Sequence, residues 1–176
     1  MGPMTADLAT SRITSEAAFG AFARDCSRRL FGIALAILID DGEAEDAVQE
    51  AFWKAWKARD RAPDSDRLTA WMIRICVNQC LDRRRFLLLR GFRRHGSDEE
   101  LKHRAAPVDH LSEGARIDVA RAFAALSARQ RTAVVLRHQY GYSLEDCADL
   151  MGCRISSVRT HLSRGLASLR KELSHA

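Results

Sequence analysis

A long apolar run is the first thing this chain lacks. The longest, residues 31–39, is broken by Gly32 and closed by Asp40 and Asp41, well short of the roughly 18 to 20 residues a membrane-spanning helix needs. The opening MGPMTADLATS lacks the basic-then-apolar order of a secretory signal. Both absences predict a cytoplasmic chain with no direct membrane insertion. Metal and redox motifs are missing too. The five cysteines, Cys26, Cys76, Cys80, Cys147 and Cys153, form no CxxC pair. The histidines His95, His103, His110, His138, His161 and His175 are scattered without ligand spacing, so no metal is expected. Most of the cysteines stand where a helical pattern calls for a small apolar residue, and they read as buried, reduced thiols. No glycine-rich phosphate loop or nucleophile elbow occurs. The chain is therefore expected to be no enzyme and to hold no cofactor.

What is present is helical periodicity and a mild excess of positive charge. The 176 residues are 47% hydrophobic and 29% charged, with a formal net charge of +5 and a sequence pI of about 9.2. That balance supports compact cores and suits a polyanionic partner. The two halves differ in character, which favours two small domains.

In residues 15–39, apolar side chains recur at Phe19, Phe22, Cys26, Leu30, Ala34 and Leu38, close to the 3.6-residue period of a helix. Asp40, Asp41 and Gly42 read as a turn. Residues 43–59 show the cleanest periodicity: Ala44, Ala47, Val48, Ala51, Phe52, Ala55 and Trp56 form one stripe. Asp46, Gln49, Glu50 and Trp53 fall off its centre. Residues 60–67, DRAPDSDR, are polar and hold Pro63, so they read as a loop. A third helix runs from Leu68 past Leu81, with Leu68, Trp71, Met72, Ile75, Cys76 and Gln79 at helical spacing, and ends in the basic tract Arg83, Arg84 and Arg85. None of these helices can bury its stripe alone, so they should pack as one bundle. Periodicity then fades. Arg90, Gly91, Arg93, Arg94, His95, Gly96 and Pro107 mark a flexible, basic linker.

The last fifty or so residues are the most informative. Ser127 with Gln130, three residues later, makes a capping box, and Gly141 closes that helix. Ser143 with Asp146 caps the next, and Gly152 closes it. A basic amphipathic helix follows from about residue 155 to 169. Val158, Leu162, Leu166 and Leu169 lie on one face; Ser156, Ser157, Arg159, Thr160, Ser163 and Arg164 lie on the other. Two short helices joined by a glycine turn, the second rich in arginine, are what a major-groove reader needs. The expected fold is all-α: a tail over residues 1–14, a helical bundle over 15–87, a linker over 88–112, and a four-helix helix-turn-helix domain over 113–176.

Two blocks, in order, carry a resemblance. EAEDAVQEAFWKAWKA followed by LTAWMIRICVNQCLDRRR resembles the second conserved region of the extracytoplasmic-function (ECF) group of bacterial sigma factors. LSARQRTAVVLRHQYGYSLEDCADLMGCRISSVRTHLSRGLASLRKEL resembles their fourth. Only the tail and the linker fall outside the match. The resemblance implies a non-enzymatic factor that binds core RNA polymerase at its clamp coiled coil and flap. It implies recognition of promoter DNA through two elements, and help in melting the upstream edge of the bubble. A further partner it implies is an anti-sigma factor, often membrane-anchored.

The resemblance also implies residue roles. Asp46, Gln49 and Glu50 would meet the clamp, with Trp53 as an aromatic anchor beside them. Asn78 would sit at a pocket for a flipped base of the minus-ten element, where an amide can donate and accept at once. Residues 64–68 would add pocket contacts, and Arg74, Arg83, Arg84 and Arg85 would hold phosphates. Trp71, spaced with Leu68 and Ile75, reads as core. Ser156, Ser157, Arg159, Thr160, Ser163 and Arg164 would face the minus-thirty-five element. Arg90, Arg93 and Arg94 of the linker would approach the template strand or remain solvated. Three positions depart from the family pattern: Arg154 where a capping Ser or Thr is common, Gly165 where alanine is common, and His161 where a more basic residue is usual. The rival reading is a stand-alone regulator binding duplex DNA as a dimer; it leaves the VQEAFWKAW block without a purpose.

Overall fold

The computed structural model describes Ile13, residues 15–89 and residues 113–174; the tail and most of the linker lie outside the described residues. Seven α-helices and no strand occur among them. The first domain holds α1 (Glu16–Leu38), α2 (Asp41–Lys57) and α3 (Ser65–Leu89). The second holds α4 (Glu113–Ala125), α5 (Ala128–Val134), α6 (Leu144–Met151) and α7 (Ile155–Leu173).

Helix ends follow local chemistry. Ser15 caps α1 by accepting from the Ala18 amide at 3.2 Å. Asp40 caps α2 by accepting from the Glu43 amide at 3.0 Å, so Asp41 and Gly42, expected in a turn, begin the helix. Between them Ile39 closes α1 in the left-handed region at φ 55°, costly for a β-branched side chain. It folds the α1 C-terminus back, its amide donating to the Leu35 carbonyl at 2.8 Å. Helix α3 begins at Ser65, inside the expected loop, and runs on to Leu89, into the expected linker. Its arginine tract therefore continues the helix, as good intrinsic helix formers can. Helix α2 buries Ala44, Ala47, Ala51 and Ala55 completely; these small residues let it lie close against α1 and α3.

In the second domain both capping boxes form as expected. Gly152 takes φ 59° at the helix-turn-helix turn and Gly141 takes φ 73° beyond α5. The end of α5 widens into a π turn at Val135–Gln139. Arg154 precedes α7 without a side-chain cap, and the helix nonetheless starts at Ile155. Gly165 is buried, with the space of its missing Cβ 3.2 Å from Val134 Cγ2 and 3.4 Å from Gln130 Cβ. Here α7 crosses α5 so closely that a Cβ would require Val134 to give by a few tenths of an ångström.

One apolar core runs through both domains, from Leu30, Ile33 and Ile37 through Cys76 and Val77 to Leu136, Met151 and Val158. Helix α1 packs on α5, and α3 packs on α6. Arg131 of α5 is 1% exposed. Its guanidinium donates to the Ile37 carbonyl at 2.7 and 3.1 Å and to the Leu126 carbonyl at 2.6 Å. It also reaches the Phe123 and Ala124 carbonyls at 3.5 and 3.4 Å. Those oxygens lie at the C-terminal ends of α1 and α4, where carbonyls lack intrahelical partners and the helix dipole is negative. One buried cation thus caps two helices from different domains.

Candidate functional site

Helix α2 turns its alanines inward and so turns Asp46, Gln49, Glu50 and Trp53 outward. The Asp46 and Glu50 side chains are 59% and 51% exposed, and Trp53 is 58% exposed. The Lys57 ammonium lies 4.6 Å from the Trp53 ring centroid, which steadies the indole. Behind this strip stands Arg83 of α3. Its Nη2 is 2.7 Å from Asp46 Oδ2 and its Nη1 3.2 Å from Glu50 Oε1, while its Nε donates to Glu43. Burial lowers the Arg83 pKa, but Glu43, Asp46 and Glu50 together outweigh it and the net shift is upward. Gln79, 7% exposed, donates to Glu50 and accepts from Lys54. The cleft between α2 and α3 at this point has a volume of about 530 Å³ and is lined by Glu43, Glu50, Gln79, Asp82, Arg83 and Phe86.

The residues expected at the minus-ten element do not form one patch. Arg74, Asn78 and Arg85 are spaced to share a face of α3; Arg74 and Arg85 are exposed and Asn78 is half-buried. Asn78 Oδ1 lies 3.8 Å from the position a Cβ on Gly152 would take, so the amide faces the turn of the second domain. Arg84 is half-buried, and its charge bears on Arg131, whose pKa burial above all pulls down to about 10. Arg83 belongs to the carboxylates of α2. Trp71 packs against the core.

On α7, Ser156, Arg159, Thr160, Ser163 and Arg164 are exposed and Ser157 is half-buried. The Thr160 hydroxyl donates to the Ser156 carbonyl at 2.9 Å, which leaves its lone pairs outward. His161 is half-buried. Burial, then Arg129 of α5 and Arg164, push its pKa below the ordinary value, so it is neutral at pH 7. Four of the five cysteines are buried and all five are free thiols. Burial lifts Cys26 and Cys147 to about 11, and a hydrogen bond with Cys76, then burial, lifts Cys80, which leaves them unreactive.

Sequence reasoning overlooked Gln79, Arg83's acidic partners, Arg131 and the aromatic grip on Arg29. The Arg29 guanidinium lies over the rings of both Tyr140 and Tyr142, 5.2 and 5.5 Å from their centroids. Arg29 Nη2 donates to the Tyr142 hydroxyl at 3.0 Å, and the Tyr140 hydroxyl donates to the Arg29 carbonyl at 3.4 Å. The one local signal was polarity out of place: Gln79 in an apolar stripe and Arg131 ahead of the run TAVVL.

Comparison with known proteins agrees with this division. Residues 22–87 match the family described as Sigma-70 region 2, and residues 116–169 match Sigma-70, region 4. The chain is 32% identical over 139 residues to the ECF RNA polymerase sigma-E factor of Escherichia coli K12, spanning 72% of this chain and 71% of that one. It is 29% identical over 161 residues to a probable RNA polymerase sigma factor, RfaY, of Xanthomonas campestris pv. campestris, spanning 89% of this chain and 40% of that protein. Among solved structures it resembles the sigma factor RpoE in complex with the anti-sigma factor NepR from Bartonella quintana. There the TM-score is 0.67 at 27% identity, covering 89% of this chain and 96% of that one. It also resembles CnrH in complex with the cytosolic domain of CnrY, with a TM-score of 0.65 at 26% identity, covering 96% and 99%.

Proposed function

The chain belongs to the ECF group of bacterial RNA polymerase sigma factors, and on that premise we propose how its residues share the work. As an alternative sigma factor it binds core RNA polymerase, directs it to specific promoters and helps to melt promoter DNA. It makes no bonds itself; the polymerase performs the chemistry, in the cytoplasm.

The α2 strip meets the polymerase clamp. Asp46 and Glu50 offer carboxylates and Gln49 an amide, around the exposed indole of Trp53. Arg83 and Gln79 position those carboxylates from beneath, so less side-chain freedom is lost on docking. This arrangement, acids aimed outward by a buried polar brace, is the observation that carries the polymerase reading. Arg74, Arg84 and Arg85 track single-strand phosphates, and Asn78 reads an unstacked base of the minus-ten element. Arg159 and Arg164 lie in the major groove of the minus-thirty-five element, with Ser156, Ser157, Thr160 and Ser163 on phosphates or base edges. The domain limits at residues 87–88 and 112–113 separate these two tasks. An anti-sigma factor is the natural antagonist, as NepR is for the similar sigma factor RpoE.

The test is capture of core RNA polymerase by the purified chain and by Asp46→Lys/Glu50→Lys. Both positions lie off the buried stripe, so the double variant should fold and lose capture. Equal capture would overturn the clamp assignment.

A further inference from the structure

We propose that Ile155, at the head of α7, reads the C5-methyl group of a thymine in the minus-thirty-five element and so fixes one base pair of the promoters this chain selects. The proposal rests on the sigma-factor reading for the DNA that is met; the choice of Ile155 rests on where the fold puts it.

An isolated apolar side chain on a surface is ordinary, so its place is what counts. Among the described residues the exposed large apolar side chains are Trp53, Phe86, Leu88, Leu89, Ile155 and Leu173. Trp53 stands in the acidic strip of α2, three lie in the last turn of α3, and Leu173 ends α7. Ile155 alone of the six lies on the first turn of the reading helix. Its neighbours Arg154, Ser156, Arg159 and Thr160 are exposed and polar. Ile155, Arg159 and Ser163 follow at four-residue steps, along one ridge of the helix. Val158 and Leu162, 0% and 8% exposed, already seat α7 on the core, while Ile155 keeps 36% of its surface open.

The start of the helix is held firmly. Gly152 turns the chain at φ 59°, and the Cys153 amide donates to the Ala148 carbonyl at 3.0 Å. The Arg154 carbonyl then accepts from the Ser157 amide at 2.9 Å and the Val158 amide at 3.2 Å. Arg154 makes no side-chain cap across this turn. A recognition helix brings its N-terminal residues to the base edges. Hydroxyls and guanidinium groups there answer donors and acceptors, but the methyl group of thymine takes an apolar partner. Isoleucine suits that task, because branching at Cβ leaves it few rotamers to lose on contact. Thr160 is the one other residue assigned to that face with a methyl group, which makes it the natural control.

Holoenzyme assembled from a bacterial core RNA polymerase and the full chain selects duplexes from a random pool, which gives its minus-thirty-five element. Each thymine of that element is then replaced in turn by deoxyuridine, which lacks the C5-methyl group. Binding is measured with the wild-type chain, Ile155→Ala, Ile155→Val and Thr160→Ser. At one thymine the wild type should lose about fourfold in affinity, the worth of one buried methyl group. Ile155→Ala should bind the thymine duplex as weakly as the wild type binds the deoxyuridine duplex, and should not respond to the exchange. Ile155→Val should keep most of the response. Equal affinity of wild type and Ile155→Ala for the deoxyuridine duplex shows that the variant is folded. Deoxyuridine without effect at every thymine, or a penalty that survives Ile155→Ala, overturns the assignment. A penalty abolished by Thr160→Ser alone overturns it in favour of Thr160. A pool in which no element is enriched strikes at the sigma-factor reading itself, and the assignment falls with it.

Discussion

The two surfaces proposed to face DNA are built on different plans. On α7 the cations stand clear of the protein: Arg159 and Arg164 are exposed, and the helix beneath them is held by Val158, Leu162 and the close approach at Gly165. On α3 the corresponding residues divide: Arg74 and Arg85 are exposed, while Arg83 pairs with three carboxylates, Asn78 faces the turn of the second domain and Arg84 is half-buried. A duplex presents its groove ready-made, so its reader can wait fully exposed.

The largest effects should fall on the open surface. Arg159→Ala or Arg164→Ala should each cost about 1 to 3 kcal/mol in promoter affinity where the arginine reads a guanine, measured by titration against specific and scrambled duplexes. Equal loss on both sequences, with a shallower salt slope, would reassign that residue to phosphate. On the covered surface Arg83→Met should lower unfolding free energy by about 1 to 2 kcal/mol, because it strands a partly buried acidic cluster. It should affect single-stranded DNA binding less than Arg84→Ala or Arg85→Ala. The reverse order would return Arg83 to the phosphates.

Gly165→Ala sharpens the account of how α7 is seated. Alanine gains about 1 kcal/mol in helix propensity, but its methyl enters space 3.2 Å from Val134, and overpacking costs about 1 to 3 kcal/mol. A melting temperature at or below wild type is expected; a clear rise would mean the helices have room to part.

The smallest effect is the pH dependence of α7. His161 has a depressed pKa in the free chain, so it binds a proton less readily than in the unfolded chain, and the free domain loses a little stability as pH falls through about 6.5. DNA phosphates offset Arg129 and Arg164 and favour the charged imidazole, so duplex affinity should rise over the same window. His161→Gln should flatten that rise; an unchanged slope would place the proton elsewhere.

How legible each feature was depended on its range in sequence. The alanine stripe of α2, both capping boxes and the outward set Asp46, Gln49, Glu50 and Trp53 are set within one or two helical turns, and the periodicity showed them. Helix α3 was read too short at both ends: its polar first turn looks like loop, and its last turn runs on past the arginine tract through Phe86, Leu88 and Leu89, which are exposed and give no core-facing stripe to read. Arg131 and Ile37 are 94 residues apart, and Arg29 and Tyr142 are 113 apart. No local pattern encodes such a meeting. Gly165 looked like a defect in a helix because its reason, α5 crossing behind it, lies in tertiary packing.

The most direct measurement of the central claim is transcription in vitro. Core RNA polymerase is supplied with genomic DNA from an organism carrying this chain, with the chain present or absent, and transcript 5′ ends are mapped. Discrete start sites that depend on the chain are predicted, lost with Arg159→Ala/Arg164→Ala and weakened with Asn78→Ala. A map identical with and without the chain, although polymerase captures it, would contradict the account.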